Sequence, residues 1–194
     1  MANNAWTEYK VYDTKENIQL LLNAIEQEKQ VHPSQPNMWD IAKNLGLDDM
    51  DKYSIRGTLI DTELSKDGTS LFMVFDCAWD WQADFIKALN IKFPNMAVYF
   101  SCIECGWDIF VTNSFTEFPT RYIIEDTNDV YECFNSLESV VDYLQKHPAM
   151  AEYRATLDCS NISSEDDINQ LFDEWNERNE DEDRYLYFRI FEEI

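Results

Sequence analysis

A chain of 194 residues with 38 Asp plus Glu against 15 Lys plus Arg has a formal charge of −23, so it repels nucleic-acid phosphates and anionic membranes and attracts basic protein grooves or cations. Its 45% hydrophobic and 14% aromatic residues supply enough apolar surface for a packed core, which excludes a disordered composition. Met1-Ala2-Asn3-Asn4-Ala5-Trp6 has neither a basic region nor an apolar run, and no stretch approaches the roughly 20 apolar residues of a membrane-spanning helix, so a cytoplasmic protein is expected.

In chain order, Thr7 to Tyr12 alternates polar with large residues as a half-buried strand does. Asp13-Thr14 offers an N-cap, and Ile18, Leu21, Leu22 and Ile25 follow at helical spacing. His32-Pro33-Ser34-Gln35-Pro36 breaks that helix, and Met38, Ile41, Ala42 and Leu45 before Gly46 predict a short second one. Ser54 to Leu64 reads as a strand that turns at Lys66-Asp67-Gly68 into the apolar run Leu71 to Phe75. A helix from about Asp80 turns Trp81, Phe85, Ile86 and Leu89 inward and stops near Pro94. Ala97 to Ile103, Trp107 to Phe110 and Arg121 to Glu125 are strand-like by their β-branched and aromatic content. Ser136 opens a helix carrying Leu137, Val140, Val141 and Leu144, which ends at His147-Pro148. The tail predicts a helix starting at Ser163-Ser164-Glu165 with Ile168, Leu171, Phe172 and Trp175 as its apolar stripe, a polar loop over Asn176 to Arg184, and a closing strand over Tyr185 to Phe191.

This order predicts an α+β fold: a ferredoxin-like antiparallel sheet with extra strands, helices mainly on one face, and an acidic C-terminal helix and strand. The expected organisation is one such domain over residues 1–150, with an insertion at about 30–55, and an acidic extension over 151–194 packed on it.

Two stretches carry a family likeness. Asn4-Ala5-Trp6-Thr7-Glu8-Tyr9-Lys10-Val11-Tyr12 before a helix, and Phe75-Asp76-Cys77-Ala78-Trp79 before a helix and Phe93-Pro94, resemble the YubB-type ferredoxin-like domain family of plasmid and phage proteins. Tyr122-Ile123-Ile124-Glu125-Asp126 is similar to a third stretch of that family. The chain departs from the pattern at Asp80-Trp81-Gln82, where the family tends to have prolines, at the insertion over 30–55, and beyond about 150. The resemblance implies the fold and a mobile-element context, and it transfers no active-site residue.

The chemistry-bearing residues are sparse. Cys102-Ile103-Glu104-Cys105-Gly106 has the spacing of one zinc-ribbon knuckle, but no second pair completes four ligands, and a turn with incidental cysteines is the simpler reading. Cys77, Cys133 and Cys159 bring the total to an odd five, which points to reduced thiols. His32 and His147 each precede proline at a predicted helix end, where a solvated or dipole-complementing role suffices. The four glycines are isolated, so no phosphate-cradling loop is available. Asp48-Asp49-Met50-Asp51 and Glu180 to Asp183 lack the glycine and distal glutamate of a calcium loop, and Asp76, Asp80 and Asp84 read as a helix N-terminus. No catalytic, metal or cofactor residue is therefore assigned.

The acidity is concentrated. Residues 151–194 hold 14 acids against 4 bases, or −10 of the −23. The candidate interaction face is Asp166, Asp167, Asp173, Glu174, Glu177, Glu180, Asp181, Glu182 and Asp183, a row dense enough to imitate the phosphates of duplex DNA, which carries about one charge per 1.7 Å. The expected function is an acidic protein-interaction module for a basic or nucleic-acid-binding protein, with no direct contact to nucleic acid or membrane. The alternatives are an enzyme using paired carboxylates, with or without Mg²⁺, and no specific role for the acidity.

Overall fold

The computed structural model describes residues 4–47, 50–127, 130–155, 157–179 and 185–194. It is a mixed α+β structure that divides into two compact units, Met1–Phe118 with Glu193–Ile194, and Pro119–Glu192. The division falls at 118/119, and Tyr122 and Ile124 pack in the core of the second unit.

In the first unit, β1 (Asn4–Tyr12) alternates as its sequence predicts, with Ala5, Thr7, Tyr9 and Val11 buried. It pairs antiparallel with β3 (Ser70–Ala78) on one side and β4 (Ala97–Glu104) on the other. β2 (Gly57–Leu64) joins β3 through the predicted hairpin, whose Gly68 has φ +74°, and a register shift falls between Leu59 and Asp61. β5 (Ile109–Thr112) and the two-residue strand Glu192–Glu193 complete the sheet, whose order is β2-β3-β1-β4-β5 followed by that last strand.

α1 (Lys15–Val31) is capped by Thr14, whose hydroxyl accepts from the Asn17 amide at 3.3 Å, and it buries Ile18, Leu21, Ala24 and Ile25. α2 (Met38–Asn44) starts where the Asn37 side chain accepts from the Trp39 amide at 2.8 Å. α3 (Ala83–Lys92) begins three residues later than its sequence suggests. Gln82 is left-handed at φ +53° and its amide donates to the Asp80 carboxylate at 2.7 Å, which keeps Asp80 and Trp81 out of the helix. Side chains of these helices share one core with the inward residues of β1, β3 and β4. Tyr9 is its centre, edge-on to Phe75 and Phe85 at centroid distances of 5.8 and 5.7 Å.

In the second unit, β6 (Tyr122–Asp126) lies between β7 (Tyr131–Phe134) and β8 (Leu186–Ile190), antiparallel to both. Tyr122 and Ile124 pack with Val140 and Leu144 of α4 (Leu137–Lys146), and with Ile168, Phe172 and Trp175 of the tail helix. The strand expected to extend the first sheet is therefore the centre of a second one. A four-residue α5 (Ala151–Arg154) precedes that tail helix, α6 (Glu165–Arg178). α6 opens with a capping box, in which the Ser164 hydroxyl accepts from the Asp167 amide and the Asp167 carboxylate accepts from the Ser164 amide. The Asn176 side chain exchanges two hydrogen bonds with the Leu186 backbone, at 2.8 and 2.7 Å, tying α6 to β8. α6 thus continues three residues into the expected polar loop.

Candidate functional site

The strongest surface anomaly is at one end of the first unit's sheet. The register sets Asn4 opposite Ala78 and Trp6 opposite Ile103, so the start of β1 meets the ends of β3 and β4. That end carries Trp6, Trp79 and Trp107, exposed by 46%, 41% and 66%. Single exposed apolar residues are ordinary, whereas three tryptophans at one end of a sheet are a feature of binding surfaces.

Rigid turns present two of these rings. Trp79 sits at φ +77°, a conformation that costs a bulky residue of order 1–3 kcal/mol. Its neighbours hold it there: the Gln82 side chain donates to the Ala78 carbonyl at 2.7 Å and accepts from the Arg56 amide at 2.7 Å. Trp81 turns inward instead, stacked on Phe100 at 5.6 Å, and its carbonyl accepts from the buried Tyr9 hydroxyl. Trp107 was expected to open a strand, but it belongs to the turn before β5. The buried Glu104 carboxylate accepts from the amides of Gly106 and Trp107 at 3.0 and 2.6 Å, which removes both from any ladder. The Trp79 and Trp107 rings meet edge to face at 6.3 Å.

Two clefts adjoin this end and share Arg56 and Ala78 as walls. One, of about 410 Å³, is lined by Asn4, Asn37, Trp39, Asp40 and Asp76 among others. The other, of about 330 Å³, is lined by Ser54, Trp79, Asp80, Gln82 and Asp84. Arg56 is exposed, and its guanidinium has no hydrogen bond or ion pair among the described residues. The nearby acids Glu8, Asp76, Asp80 and Asp108 leave the end negative on balance.

A second cluster lies beside the larger cleft. Glu28 is 2% exposed, and its Oε1 accepts from the Asn37 amide at 3.1 Å and meets His32 Nδ1 at 2.7 Å. A carboxylate only accepts, so Nδ1 carries the proton in this contact. Asp40 completes the group, and one donor atom from each of the three residues lies within 4.8 Å of the other two. From its place before Pro33 at a helix end, His32 is expected to be solvated or to complement the helix dipole. Asp40 reaches it across the Pro33 to Asn37 turn, a proximity that no helical or strand spacing encodes.

The candidate acids of the tail divide by role. Asp166, Asp173 and Glu177 are exposed and have no hydrogen bond or ion pair among the described residues. Asp167 is committed to the capping box, and its hydrogen bonds from Ser163 and Ser164 hold its carboxyl below the usual range. Glu174 accepts from Arg178 at 3.2 Å and from Gln170 at 3.1 Å. Glu180, Asp181, Glu182 and Asp183 lie outside the described residues, as do Asp48 and Asp49.

The remaining motifs are structural. Asp76 accepts from Asn4 at 3.1 Å, Asp80 from Gln82, and Asp84 from the Ser54 amide and Lys87, both at 2.8 Å. These three therefore do not share a helix face. Cys102 is buried on the inner face while Cys105 is exposed in the turn, so the pair has no common site. Burial pushes the Cys77 and Cys102 thiols up to about 12, on either side of Thr7.

Among the described residues no helix is long and apolar enough to cross a membrane. Compared with models of known protein families, with curated proteins and with solved structures, the chain matches none.

Proposed function

We propose that the protein is an acidic interaction module that docks a basic partner protein, with the tryptophan end of the first unit as the contact. The exposed Trp79–Trp107 pair, held out by rigid turns, carries the reading. Aromatic anchors that need no ordering on binding supply affinity, and the surrounding carboxylates steer a cationic surface toward them. The strand order β2-β3-β1-β4 with every neighbouring pair antiparallel supports a ferredoxin-like arrangement for this unit, in keeping with the YubB-type resemblance.

The test is affinity capture from a lysate of the source cells, with Trp107→Ala as the comparison. A basic protein retained at low salt, released at high salt and lost with the variant is expected. Recovery of no basic protein, or equal recovery on the variant, overturns the proposal.

A second reading, imitation of DNA, has its own support in the unpaired stripe Asp166, Asp173 and Glu177 along α6. It requires that the captured partner bind duplex DNA and that the chain compete with it. A triple Asn/Gln variant of the stripe should weaken that competition, and undiminished competition rejects the reading.

A further inference from the structure

We infer that Glu28, His32 and Asp40 form a binding site for a divalent transition cation of the zinc class. The site does not rest on the docking proposal: Asp40 borders a cleft that adjoins the tryptophan end, but none of the three residues is among the contact tryptophans.

Glu28 occupies the inward stripe of α1, among Ile18, Leu21, Ala24 and Ile25, and an ionised carboxylate there is costly unless something compensates it. Both of its hydrogen bonds fall on Oε1; Oε2 has no partner among the described residues. Glu28 is 98% removed from solvent, and its uncommitted oxygen is not fully enclosed, so a cation can reach it. Two further donors converge on it: His32, the C-cap of α1 one turn beyond Glu28, and Asp40, in the first turn of α2; cation binding displaces the Nδ1 proton that His32 now shares with Glu28.

The donor set selects the ion. Imidazole favours Zn²⁺, Ni²⁺, Cu²⁺ and Co²⁺ over Mg²⁺ and Ca²⁺, which take oxygen ligands almost alone. Ligand atoms bound tetrahedrally at about 2.1 Å stand about 3.4 Å apart, so a group already within 4.8 Å closes on an ion with shifts of about 1 Å shared among three side chains. Three protein ligands leave a coordination position for water or an exogenous group, and Asp40 is also a wall of the 410 Å³ cleft.

Co²⁺ serves as the probe, added to chelator-stripped protein in excess Mg²⁺ to occupy surface carboxylates, with visible absorption as the readout. One Co²⁺ per chain, displaced by Zn²⁺, is expected, together with a rise in wild-type melting temperature on adding Zn²⁺. His32→Ala and Asp40→Asn, both at positions in contact with solvent, should each weaken binding by more than about tenfold while leaving the circular dichroism unchanged. Absence of a cobalt spectrum overturns the inference, as does a spectrum that survives both variants. Loss in only one variant overturns the three-ligand set.

Discussion

The two units of this chain manage acidity differently. In the first, acids are drawn into the architecture: Glu28 and Glu104 are buried, Asp76 of β3 accepts from Asn4 of β1, and Asp80 and Asp84 accept from the Gln82 and Ser54 amides around the start of α3. In the second, several acids stay in water along the outer side of α6, with Asp166, Asp173 and Glu177 unpaired among the described residues. A net charge thus says little about function until each carboxylate has been assigned a task. The first unit exposes three of its tryptophans, whereas the second buries its tryptophan, Trp175, and leaves a stripe of α6 acids in water.

The largest effect that would break this contrast is loss of one core alone. Phe75→Ala should cost about 3–5 kcal/mol, and Phe172→Ala a similar amount. Residue-level hydrogen exchange should show each variant losing protection in its own unit, and equal loss throughout would mean one cooperative core.

Alkaline titration is the next probe. The Cys77 and Cys102 thiols titrate at about 12 in the fold because burial disfavours the thiolate, and burial raises the Tyr9 hydroxyl well above its ordinary value. The unfolded chain releases these protons first, so the stabilisation is complete below the ordinary thiol value and is lost as pH rises through about 9 to 12. Melting temperature should fall over that range, and Cys77→Ala with Cys102→Ala should flatten the decline.

Ser164→Ala should destabilise the second unit by about 1 kcal/mol through loss of the α6 cap, measurable by urea denaturation. The Asp167 carboxyl is held low, so its contribution is present above the ordinary carboxyl range and disappears as pH falls through its folded value. The cap variant should therefore differ less from wild type in acid than at neutral pH. The smallest effect is expected from Trp107→Ala, within about 0.5 kcal/mol, because that ring is 66% exposed. A larger loss would mean that the tryptophan pair is structural.

Local patterns were readable wherever one element decides its own conformation. The alternation of Thr7 to Tyr12, the cap at Thr14, the turn at Gly68 and the start of α6 at Ser164 follow from the nearest few residues. β7 was missed because its residues are mostly exposed and show no burial alternation. The late start of α3 and the placement of Trp107 depend on side-chain carboxylates capturing backbone amides, a competition that apolar periodicity does not register. Partition into two cores depended on which face Tyr122 and Ile124 would find, a choice made between distant elements. The Glu28–His32–Asp40 group was illegible for a related reason, since a turn rather than a periodic element brings Asp40 to α1.

The five cysteines are all reduced, and each unit holds both kinds: Cys77 and Cys102 buried with Cys105 exposed in the first, Cys159 buried with Cys133 exposed in the second. The chain consequently carries its own clock for breathing motions. In a timed exposure to an alkylating reagent, Cys105 and Cys133 react at once and set the zero. The delay before Cys77 and Cys102 react, compared with that for Cys159, measures how often each unit opens, without a foreign label in either.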